Sequence, residues 1–92
     1  MMGKPTGYQV FWNPTAEQQL ASIWMSAMER EEVAAAVLAC EQALSRDPNA
    51  AGESRVEPYR LSIIRPLAFV FRVSELDRTV WVMRVRHVRR SH

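Results

Sequence analysis

The residues of this chain that could do chemistry are mainly arginines, and they are concentrated near its end. After Asp77 the sequence has no acidic residue, but five arginines follow: Arg78, Arg84, Arg86, Arg89 and Arg90. Guanidinium groups stay protonated at neutral pH and form paired hydrogen bonds with phosphate and carboxylate groups. The cluster therefore predicts binding to a polyanion, or to an acidic protein that shields the charge.

The net charge of +2 conceals two segments of opposite charge. Residues 1–53 contain three Lys or Arg against seven Asp or Glu, which is a net charge of −4. Residues 54–92 contain nine against three, which is a net charge of +6. We therefore expect the binding surface to lie in the second segment.

Other reactive side chains are few. The two histidines and one cysteine lack the spacing of metal ligands, so neither a metal nor a cofactor is predicted. Cys40 lies in a predicted helix beside Leu38 and Ala39, and we interpret it as a small buried hydrophobe. Histidine is the side chain that exchanges protons near neutral pH, and His87 lies among the arginines.

Length and composition predict a single domain that spans residues 1–92. The chain is 48% hydrophobic and 24% charged, which is typical of a soluble globular protein. No apolar run approaches the ~20 residues that a membrane span needs. The first residues lack the apolar stretch of a signal peptide, so we expect a cytoplasmic protein with no membrane partner.

The spacing of apolar residues predicts the elements that position the arginines. A short strand at 8–12 precedes Pro14, which fits a first helical turn, and residues 15–18 have the form of a capping box. Two helices follow, ending near Met28 and Ser45. Segment 29–32 (EREE) interrupts the apolar stripe and places acidic residues at the start of the second helix. The short link between them predicts an antiparallel helical hairpin.

Residues 49–57 are predicted to form a loop, and three strands follow. The strands are predicted at 58–64, 66–73 and 79–90, and the last two form a hairpin around the polar connector 74–78. The order is β-α-α-β-β-β. The compact solution is an α+β fold, an antiparallel sheet with the two-helix hairpin packed on one face.

Alternation along a strand assigns side chains to the two faces of the sheet. The aromatic-rich sets are expected to face the helices: Leu67, Phe69, Phe71 and Val73 from one strand, and Trp81, Met83, Val85 and His87 from the next. The other face would hold the charged and small apolar side chains: Arg60, Ser62, Ala68, Val70, Arg72, Val80, Val82, Arg84 and Arg86.

We interpret that second face as a basic binding surface. Its predicted nucleic-acid or partner-binding residues are Arg55, Arg60, Arg72, Arg84, Arg86, Arg89 and Arg90. Arginines are also typical of the solvated face of any antiparallel sheet. Two features favour binding: the charges have one sign and repel across neighbouring strands unless something offsets them, and they lie on the face of the sheet that the helices leave open.

The sequence resembles the RelE/ParE toxin superfamily in three places. Segment 11–20 (FWNPTAEQQL) is similar to its first strand and helix start, and segments 69–73 and 80–90 are similar to its basic ending. The order of elements and the length also agree. The resemblance implies the toxin of a bacterial type II toxin–antitoxin system, neutralised by a cognate antitoxin that covers the basic face.

The superfamily contains two activities. RelE-like members cut mRNA on the ribosome, which would make Arg60, Arg84, Arg86 and His87 the candidate catalytic residues. That set is incomplete, because the usual mid-strand Arg falls near Ala68 and no Tyr follows Trp81. ParE-like members inhibit DNA gyrase, and many end in a His followed by arginines, as residues 87–90 do here.

A third hypothesis stays open. The chain could be a non-catalytic interaction module of the same fold whose basic face binds an acidic partner. The apolar outer stripe of the helices would also permit a homodimer, although Met25 and Met28 are more typical of a core.

Overall fold

In a computed structural model, residues 7–54 and 57–88 are described. The elements in chain order are β1 Gln9–Trp12, α1 Pro14–Ser26, α2 Arg30–Arg46, α3 Pro48–Ala51, β2 Glu53–Ser54, β3 Tyr59–Ile64, β4 Leu67–Ser74 and β5 Thr79–His87. The predicted α+β class and the order of the larger elements are confirmed. The one-turn α3 and the two-residue β2 lie where a loop was predicted.

The strands form one sheet in the order β1-β5-β4-β3-β2. The pairings of β3 with β4 and of β4 with β5 are antiparallel, as predicted, and the unpredicted β2 also pairs antiparallel with β3. β1 instead runs parallel to β5, with Gln9 beside Thr79 and Trp12 beside Val82, so the sheet is mixed. No tight turn joins these two strands, so the local sequence leaves their relative direction open.

α1 begins two residues earlier than a capping box at residues 15–18 would require. The N-cap is Asn13, whose Oδ1 accepts a hydrogen bond from the Ala16 backbone N–H at 2.8 Å, and Pro14 occupies the first helical position. The capping-box prediction is therefore wrong. Because this cap directly follows β1, it holds the start of α1 against the end of that strand.

α1 ends at Ser26, and α2 begins at Arg30 with two acidic residues in its first turn. The Arg30 side chain turns back and donates to the backbone oxygens of Trp24 at 2.9 Å and Met25 at 3.2 Å. These carbonyls belong to the last turn of α1, which has no further intrahelical donors. No helix within the described residues is both long and apolar enough to cross a membrane.

The core lies between the helices and one face of the sheet. Its completely buried side chains include Val33, Cys40 and Leu44 from α2, Leu67, Phe69 and Phe71 from β4, and Val80 and Val82 from β5. Burying one large apolar side chain of this kind stabilises the folded state by about 1.5–3 kcal/mol. The interpretation of Cys40 as a buried hydrophobe is confirmed, and this burial raises the pKa of its thiol to about 12.

A β-bulge interrupts the pairing of β4 with β5. Val70 lies opposite Arg84, but the next residue, Phe71, lies opposite Val82, which leaves Met83 as the extra residue. One extra residue exchanges the two faces of the strand beyond it. Before Met83 the even-numbered residues of β5 face the helices, and after Met83 the odd-numbered residues do.

Because of the bulge, the predicted assignment of side chains to the two faces of the sheet is wrong for the first part of β5. Val80 and Val82 are buried in the core, whereas Trp81 lies opposite Arg72 on the face away from the helices. From Arg84 onward, the predicted assignment of side chains to the two faces is correct. Val85 is buried, and Arg84 and Arg86 are exposed.

Candidate functional site

The sheet face that the helices leave uncovered, here called the open face, is organised in rows that cross the strands. One row contains Tyr59, Arg72, Trp81 and Phe11; a second contains Glu53, Leu61, Val70 and Arg84; a third contains Ile63, Ala68 and Arg86. The sheet thus brings aromatic and basic side chains from β1, β3, β4 and β5 onto one surface.

Three of the predicted arginines lie together on the open face. Arg72 comes from β4, and Arg84 and Arg86 come from β5, where they are two residues and therefore roughly 7 Å apart. All three are exposed, and none forms an ion pair or hydrogen bond with the residues that the structure describes. Neighbouring like charges favour an anionic ligand that offsets their repulsion.

Aromatic side chains lie beside these arginines. The set of side chains that the sequence predicted for this face contained none of them. The rings of Phe11 and Trp81 stack with their centroids 5.0 Å apart and an interplanar angle of 25°. Phe11 and Tyr59 remain 38% and 39% exposed. Alternating basic and aromatic side chains on a sheet are typical of surfaces that bind single-stranded nucleic acid.

A cavity of about 380 Å³ opens on this face where the bulge meets the start of α1. Its lining residues are Asn13, Thr15, Tyr59, Val70, Met83 and Arg84. The bulge helps to shape this cavity, since it turns Met83 toward Asn13, whose Nδ2 donates to the Met83 sulfur at 3.7 Å. Bulges often redirect a side chain at a functional site in this way.

Arg60 does not lie on the open face, so its predicted position is wrong. It pairs with Phe71 on the helix side of the sheet, and its guanidinium donates to the backbone oxygens of Asn49 at 2.8 Å and Gly52 at 2.9 Å. Ser62, two residues further along β3, is buried at 5% exposure on the same side. Arg60 thus holds the α3 turn against the sheet.

His87 is at the end of β5, opposite Leu67, and also points to the helix side. Its Nε2 lies 3.1 Å from Oε1 of Glu29 in the link between α1 and α2. A cavity of about 390 Å³ beside this pair is lined further by Glu32 and Arg65. The structure therefore separates the imidazole from the open face, while Arg86, the preceding residue, points onto it.

The groups available for proton transfer on the open face are consequently few. Among the described residues, Glu53 is the carboxylate that strand pairing assigns to this face. It shares a row with Arg84 but lies three strands away, or roughly 14 Å between backbones. Arginine remains protonated and stabilises a phosphorane without acting as a base. The described part of this face can therefore bind and orient a phosphate.

Arg78 belongs to a different cluster, at the end of the β4–β5 hairpin. Its guanidinium lies 4.0 Å from the centroid of the Tyr8 ring and donates to the Tyr8 hydroxyl at 3.0 Å. Glu75 accepts hydrogen bonds from Asn49 and from Tyr8, each at 2.7 Å. These bonds lower the pKa of Glu75, and the bond to Glu75 raises the pKa of Tyr8.

Three predicted binding residues, Arg55, Arg89 and Arg90, lie outside the described residues. Within residues 7–54 and 57–88, no three His, Cys, Asp or Glu side chains lie close enough together to hold a metal ion.

Solved structures of toxins and toxin–antitoxin complexes resemble almost the whole chain. A chain of the toxin–antitoxin complex RelBE2 from Mycobacterium tuberculosis is 25% identical, with a TM-score of 0.74, over 94% of this chain and 97% of that one. A chain of the chromosomal ParDE system from P. aeruginosa is 20% identical, with a TM-score of 0.67, over 89% and 97%. The isolated E. coli RelE toxin is 18% identical, with a TM-score of 0.60, over 92% and 88%.

The chain therefore has the fold of the RelE/ParE toxin superfamily, which confirms the resemblance seen in the sequence. Neither the known family models nor the curated proteins match its sequence.

Proposed function

We propose that this chain is the toxin of a bacterial type II toxin–antitoxin system and that it inhibits growth through its open face. The likeness to the RelBE2 complex, which extends over nearly the full length of both chains, carries the proposal. The exposed cluster of Arg72, Arg84 and Arg86 supports it, since this surface matches an anionic partner.

The cognate antitoxin would neutralise the toxin by covering the same surface. Carboxylates placed against the three arginines offset their mutual repulsion and exclude a competing anion. A partner that binds only the folded toxin also stabilises it by mass action. Neutralisation and stabilisation of the toxin are thus expected to depend on the same arginines.

Ribosome-bound mRNA is the target that the open face favours. Its arginines fit a phosphate backbone, and its aromatic side chains fit unpaired bases. In a cleavage reaction Arg84 and Arg86 would stabilise the charge that develops on the scissile phosphate. The acceptor of the ribose 2′-OH proton and the donor to the leaving 5′ oxygen would come from the ribosome, because Glu53 lies roughly 14 Å from Arg84 and is out of reach of the scissile phosphate.

DNA gyrase is the second candidate target. The observation that favours it is the basic ending of the chain, where His87 precedes Val88, Arg89 and Arg90. A ParDE system is also among the similar structures. In this case the open face would serve the antitoxin, and the end of the chain would contact gyrase.

Inducible expression in E. coli tests the proposal. The wild-type chain should arrest growth, and Arg84→Ala and Arg86→Ala should each relieve the arrest. Arg46→Ala, which removes an exposed arginine at the end of α2, should not. Equal expression and an unchanged melting temperature would establish that the variants fold.

The same cultures distinguish the targets. Rapid loss of methionine incorporation with new mRNA 5′ ends indicates RNA cleavage, whereas inhibited supercoiling by purified gyrase with normal initial translation indicates the second target. Full toxicity of both arginine variants would contradict a role for the open face. If the wild-type chain does not affect growth, the toxin proposal is contradicted, and only the hypothesis of a non-catalytic interaction module remains.

A further inference from the structure

We infer that the cavity at the bulge is a nucleobase-binding subsite, in which an unpaired RNA base stacks on Tyr59 while Arg72 and Arg84 bind the flanking phosphates. This inference rests on the proposed function, because it specifies what the open face binds. It assigns a role to Tyr59, Met83 and the bulge itself.

The first support is the state of the Tyr59 ring. The ring is 39% exposed, has no aromatic or cationic partner among the described residues, and its hydroxyl makes no hydrogen bond to them. Phe11 and Trp81, in the same row, already stack on each other. Tyr59 therefore offers the unpartnered aromatic surface of the open face, and stacking on a base would cover it.

The second support is the position of two positive charges near this ring, on the two strands that follow β3 on one side of it. Arg72 lies directly opposite Tyr59 on the neighbouring strand, where side chains begin about 5 Å apart. Arg84 lines the same cavity from β5. A nucleotide in a chain has one flat base and a phosphate on each side of its sugar, and one exposed ring with two arginines beside it is complementary to such a unit.

The third support is the shape and lining of the cavity. About 380 Å³ falls within the usual range of small-ligand sites and is sufficient for a nucleoside. Val70 and the polarizable thioether of Met83 provide an apolar floor, and Asn13 and Thr15 provide polar groups at the edge. Such a site takes a single base that has left its stack.

The ligand is therefore single-stranded RNA rather than a duplex or an acidic peptide. In a duplex, both faces of each base are already stacked, and the base is not accessible to Tyr59. An acidic peptide would use the arginines but would not need the ring. The contribution of Tyr59 thus distinguishes these ligands.

Binding of a defined probe to the purified full-length chain tests the inference. The probe is a 5′-fluorescein-labelled, unstructured 12-nucleotide RNA, and anisotropy is measured at several salt concentrations. Tyr59→Ala should weaken binding about 5- to 50-fold, as expected for the loss of one stacked base. Tyr59→Phe, which keeps the ring, should stay within about twofold of wild type.

Two further variants control for charge and for the surface as a whole. Arg84→Ala should weaken binding and reduce the salt-dependence slope by roughly 1, because one phosphate contact is lost. Ile63→Ala removes another exposed side chain of β3 on the same face, two rows away from Tyr59 and outside the cavity lining, and should not change binding. A 2-aminopurine placed in the probe should lose fluorescence on binding to wild type but not to Tyr59→Ala.

The inference is overturned if Tyr59→Ala binds the RNA as wild type does, or if it weakens binding no more than Ile63→Ala. It is also overturned if a duplex of the same sequence or a poly-glutamate peptide binds with equal dependence on Tyr59. Growth arrest separates the two proposals. A toxic chain that does not bind RNA contradicts only the subsite, whereas RNA binding without growth arrest contradicts only the toxin proposal.

Discussion

Nε2 of His87 lies 3.1 Å from Oε1 of Glu29, and this pair joins the end of β5 to the link between α1 and α2. Their side chains are 40% and 36% exposed. The pair directs the imidazole away from Arg84 and Arg86, although His87 follows Arg86 in the chain. The structure therefore gives His87 a local role in joining the sheet to the helices.

The first prediction follows from this pair. His87→Gln and Glu29→Gln should each lower the free energy of unfolding by no more than about 0.5 kcal/mol, because exposed ion pairs contribute little. His87→Gln should retain growth inhibition, measured beside Arg84→Ala. If His87→Gln lost toxicity while its melting temperature stayed unchanged, the histidine would regain the catalytic role that the sequence predicts for it.

Arg60 is expected to be a stability residue. Arg60→Met should lower the free energy of unfolding by about 2 kcal/mol, because two backbone oxygens, those of Asn49 and Gly52, lose their donor. Arg72→Ala, an exposed arginine of the neighbouring strand, should change it by less than about 0.5 kcal/mol. Urea unfolding followed by tryptophan fluorescence measures both. A larger loss of unfolding free energy in Arg72→Ala than in Arg60→Met would contradict the position of Arg60 on the helix side.

The bulge predicts unequal effects of the same substitution on the two sides of the sheet. Val82→Ala should cost about 2 kcal/mol of unfolding free energy, because Val82 is completely buried. Val70→Ala, the matched change on the open face, should cost less than half as much. Thermal and urea unfolding of the two variants provide the comparison. Equal costs, or a larger cost at Val70, would contradict the observed register.

Cys40 should be nearly inert in the folded protein. The thiol is buried and its pKa is raised to about 12, so very little of the reactive thiolate is present at pH 8. Labelling by a disulfide reagent should be at least about a hundredfold slower than in denaturant. The control is Ala39→Cys in a Cys40→Ala background, since position 39 is exposed. Equal labelling rates at the two positions would show that α2 does not bury Cys40.

The hydrogen bonds of Glu75 predict how the stability of the protein depends on pH. Its pKa is lowered by hydrogen bonds from Asn49 and Tyr8, so the charged form is favoured in the folded state. The resulting stabilisation is present above the ordinary pKa of 4.5 and is lost as the pH falls through the lower folded value.

Glu75→Gln should therefore lower the melting temperature at pH 6–7 and reduce the difference from wild type near pH 3. The control is Glu31→Gln, which changes an exposed carboxylate in the first turn of α2. Circular dichroism melts between pH 3 and 7 measure the effect. A difference between Glu75→Gln and wild type that stays constant across this range would show that the hydrogen bonds do not depend on the charge.

Much of the fold could be predicted from local patterns. Apolar spacing located both helices, and alternating residues located the β4–β5 hairpin. The burial of Cys40 and the exposure of Arg72, Arg84 and Arg86 followed from the same patterns. The cap of α1 was assigned to residues 15–18 and missed at Asn13, although Asn before Pro is a common helix start. These features depend on neighbours within a few residues, and such neighbours are visible in the sequence.

The composition of the open face was decided by the tertiary structure. Alternation cannot show an extra residue such as Met83, because a bulge exists only relative to the partner strand. The pairing of β3 with β4 likewise turned Arg60 inward, and the parallel pairing of β1 brought Phe11 beside Trp81. The sequence alone determined that an arginine-rich sheet exists. The long-range pairing of strands decided which side chains share its open face, because register is a property of two strands together.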